Sequence, residues 1–418
     1  MTARRKRLAA EGQEWEQLKI QMQAMKQDDI AWREGRAAVY VFYAGEDVLH
    51  VAQEAYTLFM SENGLGMARA FPSLRQMEEE VLDIALDLLH GGEEAVGNMT
   101  SGGTESIFMA VKTARDWARV HRPSATQPEI LLPYSAHPAF DKAAHYLNLT
   151  IHRVPVGADF RADVSAMAAA ISKQTIMIVG SAPCFPYGVM DPIADLSSLA
   201  QARDLWLHVD ACVGGFIAPF VRQIGYPVPD FDFTLPGVCS MSADLHKYGF
   251  AAKGASTVLY RSEDLRHYQP FSCSDWPNGT MTTPTFAGTR PGGAIAAAWA
   301  VLHYLGVAGY QEKARAMMQT RDALTSGIEA IDGLHVWGKP DLGLIAYGSH
   351  ELDIAAVGDG LRAAGWFVVQ TQHPKGLHLM LTPAHAPIVD AYLRDVATAV
   401  ARVRQGSLMS SEAEVRYS

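Results

Sequence analysis

The sequence predicts an α/β fold with a mainly parallel sheet, followed by a smaller α+β unit, and three observations carry that prediction. From about residue 56, short apolar runs alternate with helix-patterned segments, as in a parallel sheet covered on both faces. The 418 residues suit two or three domains at roughly 150 residues each. The apolar share, 49%, is that of an ordinary globular chain, not a disordered one. The organisation expected is an N-terminal helical segment over 1–55, a large domain over 56–303 and a small α+β C-terminal domain over 304–418.

Taken in order, residues 1–35 read as an amphipathic helix, with Trp15, Leu18, Met22 and Met25 at three- and four-residue intervals. Packing against the same molecule is the expectation for that face, with partner contact as the alternative. Candidate strands follow at Ile130–Leu132, Ile151–Val154, Ile176–Val179, Trp206–Val209, Val238–Met241 and Thr257–Tyr260. Helical patterns lie between them at Ile107–Val120, Phe140–Leu147, Val164–Ile171 and Leu196–Ala202. After Pro291-Gly292-Gly293 a long helical region runs to about Ile331. Weaker strand signals at Gly343–Ala346 and Trp366–Val369 precede a last helix near Ile388–Val403.

Composition excludes several functions. Thirty-five basic against 45 acidic residues leave a net charge of −10, without the basic field that nucleic acid requires. The basic start Arg4-Arg5-Lys6-Arg7 leads into no apolar core of a signal peptide. The run Ala294–Tyr310 falls short of the roughly 20 residues a bilayer needs and reads as a buried helix, so no transmembrane segment is expected. Cys184, Cys212, Cys239 and Cys273 show neither CxxC nor zinc spacing. A reducing cytoplasm and no metal are the expectations.

In an open α/β sheet, ligands sit beyond the carboxyl ends of strands, so the residues after each apolar run carry the search. Ser101-Gly102-Gly103-Thr104-Glu105-Ser106 opens a helix and offers backbone N–H groups and hydroxyls to an anion. His137 could lie flat against a planar cofactor, and Asp210 ends the run Trp206–Val209. The segment Ser240–Tyr248 delivers Ser242, His246 and Lys247 together, and a desolvated lysine amine can condense with an aldehyde. Singly, each has a plainer reading: a turn, a cap, a loop lysine. Together and in this order they are the parts that pyridoxal phosphate requires. These are an anion site, a group against the ring, an acid for the ring nitrogen and a lysine for the aldehyde.

On these residues the chain resembles the pyridoxal-phosphate enzymes of fold type I, in the group II decarboxylase branch. Within that branch it is most similar to the sphingosine-1-phosphate lyases. The likeness runs from about Val39 to Thr382 and is specific in Thr100–Ser106, His208–Phe216, Ser242–Gly249 with Lys253-Gly254, and Ala287–Gly293. It implies that Lys247 holds the cofactor covalently, Asp210 pairs with its ring nitrogen and His137 lies against the ring. It further implies that Gly103, Thr104, Ser242 and His246 hold or border the phosphate. Thr289 would reach that phosphate from a neighbouring subunit, which makes the protein a homodimer with shared active sites. Tyr40 and Lys253 would face the substrate, a phosphorylated long-chain base. The reaction implied is retro-aldol cleavage to a fatty aldehyde and phosphoethanolamine.

The chain also departs from that family. Leu65-Gly66-Met67-Ala68-Arg69-Ala70-Phe71-Pro72 stands where the lyases carry a Leu-His-Pro-Asp-x-Phe-Pro stretch. Arg69 is the candidate to replace the missing histidine as a phosphate contact, against the plain reading of a surface arginine. Tyr187 stands where the lyases often have His. A group II amino-acid decarboxylase and a non-catalytic cofactor-binding protein are the rival readings.

Overall fold

The computed structural model describes residues 5–410. Arg4 of the basic cluster and the end of the tail, 411–418, lie outside the described residues. The helices are α1 (Trp15–Met25), α2 (Glu46–Leu58), α3 (Pro72–Leu88), α4 (Gly103–His121), α5 (Ala139–Leu147), α6 (Val164–Ala170), α7 (Ile193–Arg203), α8 (Ala218–Gln223), α9 (Glu263–Arg266), α10 (Gly292–Glu329), α11 (Ile354–Ala363) and α12 (Val389–Arg404). The main sheet contains β1 (Val96–Thr100), β2 (Glu129–Pro133), β3 (Thr150–Val154), β4 (Thr175–Ser181), β5 (Trp206–Asp210), β6 (Val238–Ala243) and β7 (Ser256–Tyr260). Two short strands, β8 (Phe271–Cys273) and β9 (Met281–Thr283), form a hairpin, and a second sheet holds β10 (His335–Val336), β11 (Leu344–Gly348), β12 (Val369–Gln372) and β13 (Lys375–Met380).

The main sheet runs β1-β7-β6-β5-β4-β2-β3. β7 pairs antiparallel with both its neighbours, while β3, β2, β4, β5 and β6 are mutually parallel. Every residue of β4 and β5 is buried, because helices cover both faces, and their unbroken apolar runs follow from that. The register places Ser181, Asp210 and Ser242 side by side across β4, β5 and β6 at their carboxyl ends. That row is the foundation of the site.

All six expected strands fall inside β2–β7. β1 carried no strand signal, since Val96-Gly97-Asn98 is poor in β-formers; pairing with β7 makes it a strand. α10 crosses the expected boundary at 303/304 and kinks at Gly306, whose φ is 52° and ψ −173°. It is long and apolar enough to cross a membrane, yet half of its apolar window is buried inside the protein. The expectation for α1 fails: none of its residues is buried, and Trp15 and Met25 are 60% and 71% exposed. Three- and four-residue spacing marks a face without saying what covers it. The segment that follows α1 does pack. Ala37 bridges to Phe367, Met380 N–H donates to Ala38 O at 2.6 Å and Arg36 lies over the Trp366 ring, tying residues 36–38 to the C-terminal sheet.

Candidate active site

Beyond the carboxyl ends of β1, β4, β5 and β6 lies a cavity of about 550 Å³. Its lining includes Ser101–Glu105, His137, Ser181, Asp210, Lys247 and Lys253. The glycine loop forms one end, where α4 begins at Gly103 and presents its first N–H groups. A Cβ at Gly103 would stand 2.7 Å from Asp244 Oδ2 and 2.8 Å from Cys212 Sγ, so only glycine fits between the loop and the floor. Glu105 fixes this loop from behind. Its Oε2 accepts from Ser101 N and Oγ at 2.7 and 2.5 Å, and its Oε1 accepts from Phe286 N at 2.9 Å and Ala287 N at 3.3 Å.

Asp210 stands at the floor. Its Oδ1 accepts from Cys212 N at 3.1 Å and from Ser242 Oγ at 3.2 Å. His137 forms a wall, its Nδ1 accepting from Ala139 N at 3.1 Å at the start of α5. Burial lowers the His137 imidazole below its ordinary value, although the charge of Asp210 opposes this. The turn after β6 brings Asp244 and Lys247 together, Nζ to Oδ2 at 2.9 Å. Burial is the largest influence and disfavours the Lys247 ammonium, but the charges of Asp244, Cys212 and Asp210 and the hydrogen bond to Asp244 together outweigh it and hold the amine above the usual lysine range. Asp244 is itself buried, and Lys247, His246 and the Ser256 hydroxyl, 2.5 Å away, hold its carboxyl below the usual range against burial. His246 accepts from Ala255 N at 3.3 Å, and burial pushes it down to about 4. It is therefore neutral at pH 7.

Of the residues singled out from the sequence, the structure brings Tyr40, Gly103, Thr104, His137, Asp210, His246, Lys247 and Lys253 to this one cavity. Lys253 Nζ lies 3.4 Å from both Tyr40 O and His246 O and 5.1 Å from the Phe42 ring centre. Ser242 does not line the cavity. It is buried one step below the strand end, against Asp210, because alternate residues of β6 share a face and Ser242 lies on that face with the carboxylate. Arg69 and Thr289 are exposed and do not line this chain's cavity. Thr289 lies beside the departing segment, its Oγ1 accepting from Leu65 N at 3.2 Å and lying 3.1 Å from Asn63 Oδ1. Tyr187 is buried with Cys184, Val189 and Trp337, donating to His373 O, and faces away from the site.

Sequence reasoning missed Asp244, Ser181 and Phe42. A carboxylate three residues before a lysine in a turn is a legible signal for Asp244. Ser181 carries none, because only the register across β4 and β5 makes it a neighbour of Asp210. Its hydroxyl is buried and takes no hydrogen bond from the described residues.

The cavity fits pyridoxal phosphate. It offers an anion cradle at a helix start, a carboxylate at the floor, an imidazole on a wall, an amine, and an orphaned hydroxyl beside the carboxylate. Residues 6–349 match the pyridoxal-dependent decarboxylase conserved domain. A sphingosine-1-phosphate lyase of Oryza sativa is 44% identical over 391 residues, 92% of this chain and 72% of that protein. One from Mus musculus is 40% identical over 401 residues, 95% and 70% of the two chains. The structure of a Burkholderia pseudomallei sphingosine-1-phosphate lyase superposes with a TM-score of 0.92 at 36% identity, covering 97% of this chain and 94% of that one. A Lactobacillus brevis glutamate decarboxylase, 19% identical with a TM-score of 0.82 over 100% and 97% of the two chains, shares the fold.

Proposed function

We infer, for a chain that belongs to the pyridoxal-dependent decarboxylase family and to the sphingosine-1-phosphate lyases within it, a lyase that cleaves sphingosine-1-phosphate to a fatty aldehyde and phosphoethanolamine. The observation that carries this reading is the convergence of Lys247, Asp210, His137 and the glycine loop on one cavity with Lys253 and Tyr40 at its rim. When bound, pyridoxal phosphate supplies an electron sink for the pair released as the carbon–carbon bond breaks.

This chain's residues do the rest. Gly103 and Thr104, at the start of α4, anchor the coenzyme phosphate. Asp210 would keep the ring nitrogen protonated, and His137 would lie against the ring. Lys247 would hold the coenzyme through Nζ, and Asp244 Oδ2, 2.9 Å away, would hold a proton on that amine when it is free. Lys253 brings a cation to the rim, where it would bind the substrate phosphate and orient the substrate.

The active site is shared between two subunits. Support comes from Thr289 and Arg69, exposed side chains on the neighbouring segments 287–291 and 63–71, outside this chain's own cavity and thus available to a partner's. Glu105 and a buried Glu78–Arg290 ion pair fix the 284–291 segment from within. The enzyme meets its substrate from the aqueous, cytoplasmic side.

Purified protein incubated with pyridoxal phosphate and sphingosine-1-phosphate should yield both products by mass spectrometry. Carbon dioxide released from a free amino acid, with no aldehyde, would instead establish the decarboxylase. Mixing Thr289→Ala with Lys247→Ala subunits should restore part of the activity each lacks alone, and no recovery would refute the shared site.

A further inference from the structure

We propose that His208 is a positioning residue that acts through Ser242 on Asp210, holding the proton shared between that carboxylate and the coenzyme ring on the nitrogen side. The proposal rests on the cofactor reading above and adds a buried relay beneath it.

The relay follows from strand register. β5 and β6 are neighbours, with His208 opposite Ser240 and Asp210 opposite Ser242. Residues two apart on each strand share a face, so four side chains from two strands interdigitate in one layer. Trp206 Nε1 lies 2.8 Å from Ser240 Oγ, Ser240 Oγ 2.8 Å from His208 Nδ1, His208 Nε2 3.3 Å from Ser242 Oγ, and Ser242 Oγ 3.2 Å from Asp210 Oδ1. Trp206, Ser240, His208 and Ser242 are fully buried, so bulk solvent does not compete for their hydrogen bonds.

The carboxylate end sets the direction, and the indole end is compatible with it. An indole nitrogen only donates, so Ser240 accepts from Trp206 and has its own proton left for His208 Nδ1. An ionised carboxylate only accepts, so Ser242 donates to Asp210 and is left to accept from His208 Nε2. One arrangement satisfies both, with a neutral His208 carrying its proton on Nε2. Burial agrees, since it pushes His208 down to about 4.

The chain of donors thus runs one way, from Trp206 to Asp210 Oδ1, where Cys212 N adds a second donor. Two donors on one oxygen leave it fewer lone pairs with which to take a proton. The shared proton is thereby kept on the ring nitrogen, the condition for a strong electron sink. A structural histidine has no need of this polarity, and a hydrophobic residue of similar volume would fill the layer.

The test reads the ring nitrogen directly, by nitrogen-15 resonance of labelled pyridoxal phosphate bound to each protein. In His208→Ala and Ser242→Ala the resonance should move from the protonated toward the unprotonated position. kcat should fall roughly tenfold, as for loss of a hydrogen bond to a charged group, with KM little changed. His208→Gln, which can again donate to Ser242, should bring the resonance back. An unmoved resonance in Ser242→Ala, with coenzyme retained, overturns the proposal, and this variant decides the matter even if His208→Ala does not fold. A wild-type chain that takes up no coenzyme is a different failure, that of the cofactor reading itself.

Discussion

The floor of the cavity and its rim are built on opposite terms. At the floor, Asp210, Ser242, His208 and Asp244 are buried and hydrogen-bonded on adjacent parallel strands or the turn beyond. At the rim, Tyr40 and Lys253 are exposed, on loops far apart in the chain, and Arg69 and Thr289 are exposed outside this chain's cavity. A buried polar group is costly unless its partners are all in place, so the floor admits few substitutions. An exposed loop side chain is free of that constraint. On the proposed function, substrate choice belongs to these exposed side chains.

Experiments that push on each side sharpen the contrast. The largest effect is expected from Lys247→Ala, which should abolish turnover and the visible absorption of bound coenzyme, because no other amine is placed at the floor. Residual turnover would refute the site. Asp210→Asn should keep the fold by circular dichroism and lose about a hundredfold or more in kcat, the scale of removing one preorganised charge-stabilising group. A near-normal rate would break the claim that the floor sets the chemistry.

At the rim, Lys253→Ala should weaken phosphorylated substrates by about tenfold to a hundredfold in kcat/KM, as for a lost hydrogen bond to a charged group. It should act much less on their dephosphorylated counterparts, and equal losses on both would contradict a phosphate contact.

The subtlest effect is a pH shift. Only the neutral amine attacks the coenzyme aldehyde, and Asp244 raises Lys247 above the usual range, so capture of coenzyme by the free protein should speed up as pH rises. Asp244→Asn removes the charge that holds the ammonium and leaves burial to lower it. The capture profile should therefore move toward lower pH, by about one unit or more, followed by absorbance after rapid mixing. An unchanged profile would mean that Asp244 does not hold that proton.

Much of the floor was legible in the sequence because local chemistry determines it. A glycine pair before a helix and a carboxylate or a lysine just after an apolar run each mark a strand end, and strand ends are where an α/β sheet binds ligands. Ser242 shows what local sequence leaves out. It stands near Lys247 in the chain, but the period of two along β6 turns it under Asp210 and out of the cavity lining. β1 escaped notice because its residues form a strand only through pairing with β7, and α1 showed a face but not what covers it.

By itself the sequence determined the α/β class, the positions of six strands, the coenzyme, and Lys247, Asp210 and His137 as candidates that meet in one cavity. These follow from hydrophobic period and residue chemistry, which are local. Only the tertiary structure decided that Ser181, Asp210 and Ser242 stand in one row, that His208 lies behind them, and that Arg69 and Thr289 lie outside this chain's cavity. Register between strands and the packing of distant loops arise from contacts between residues far apart in the chain, and no local pattern encodes which of them will meet.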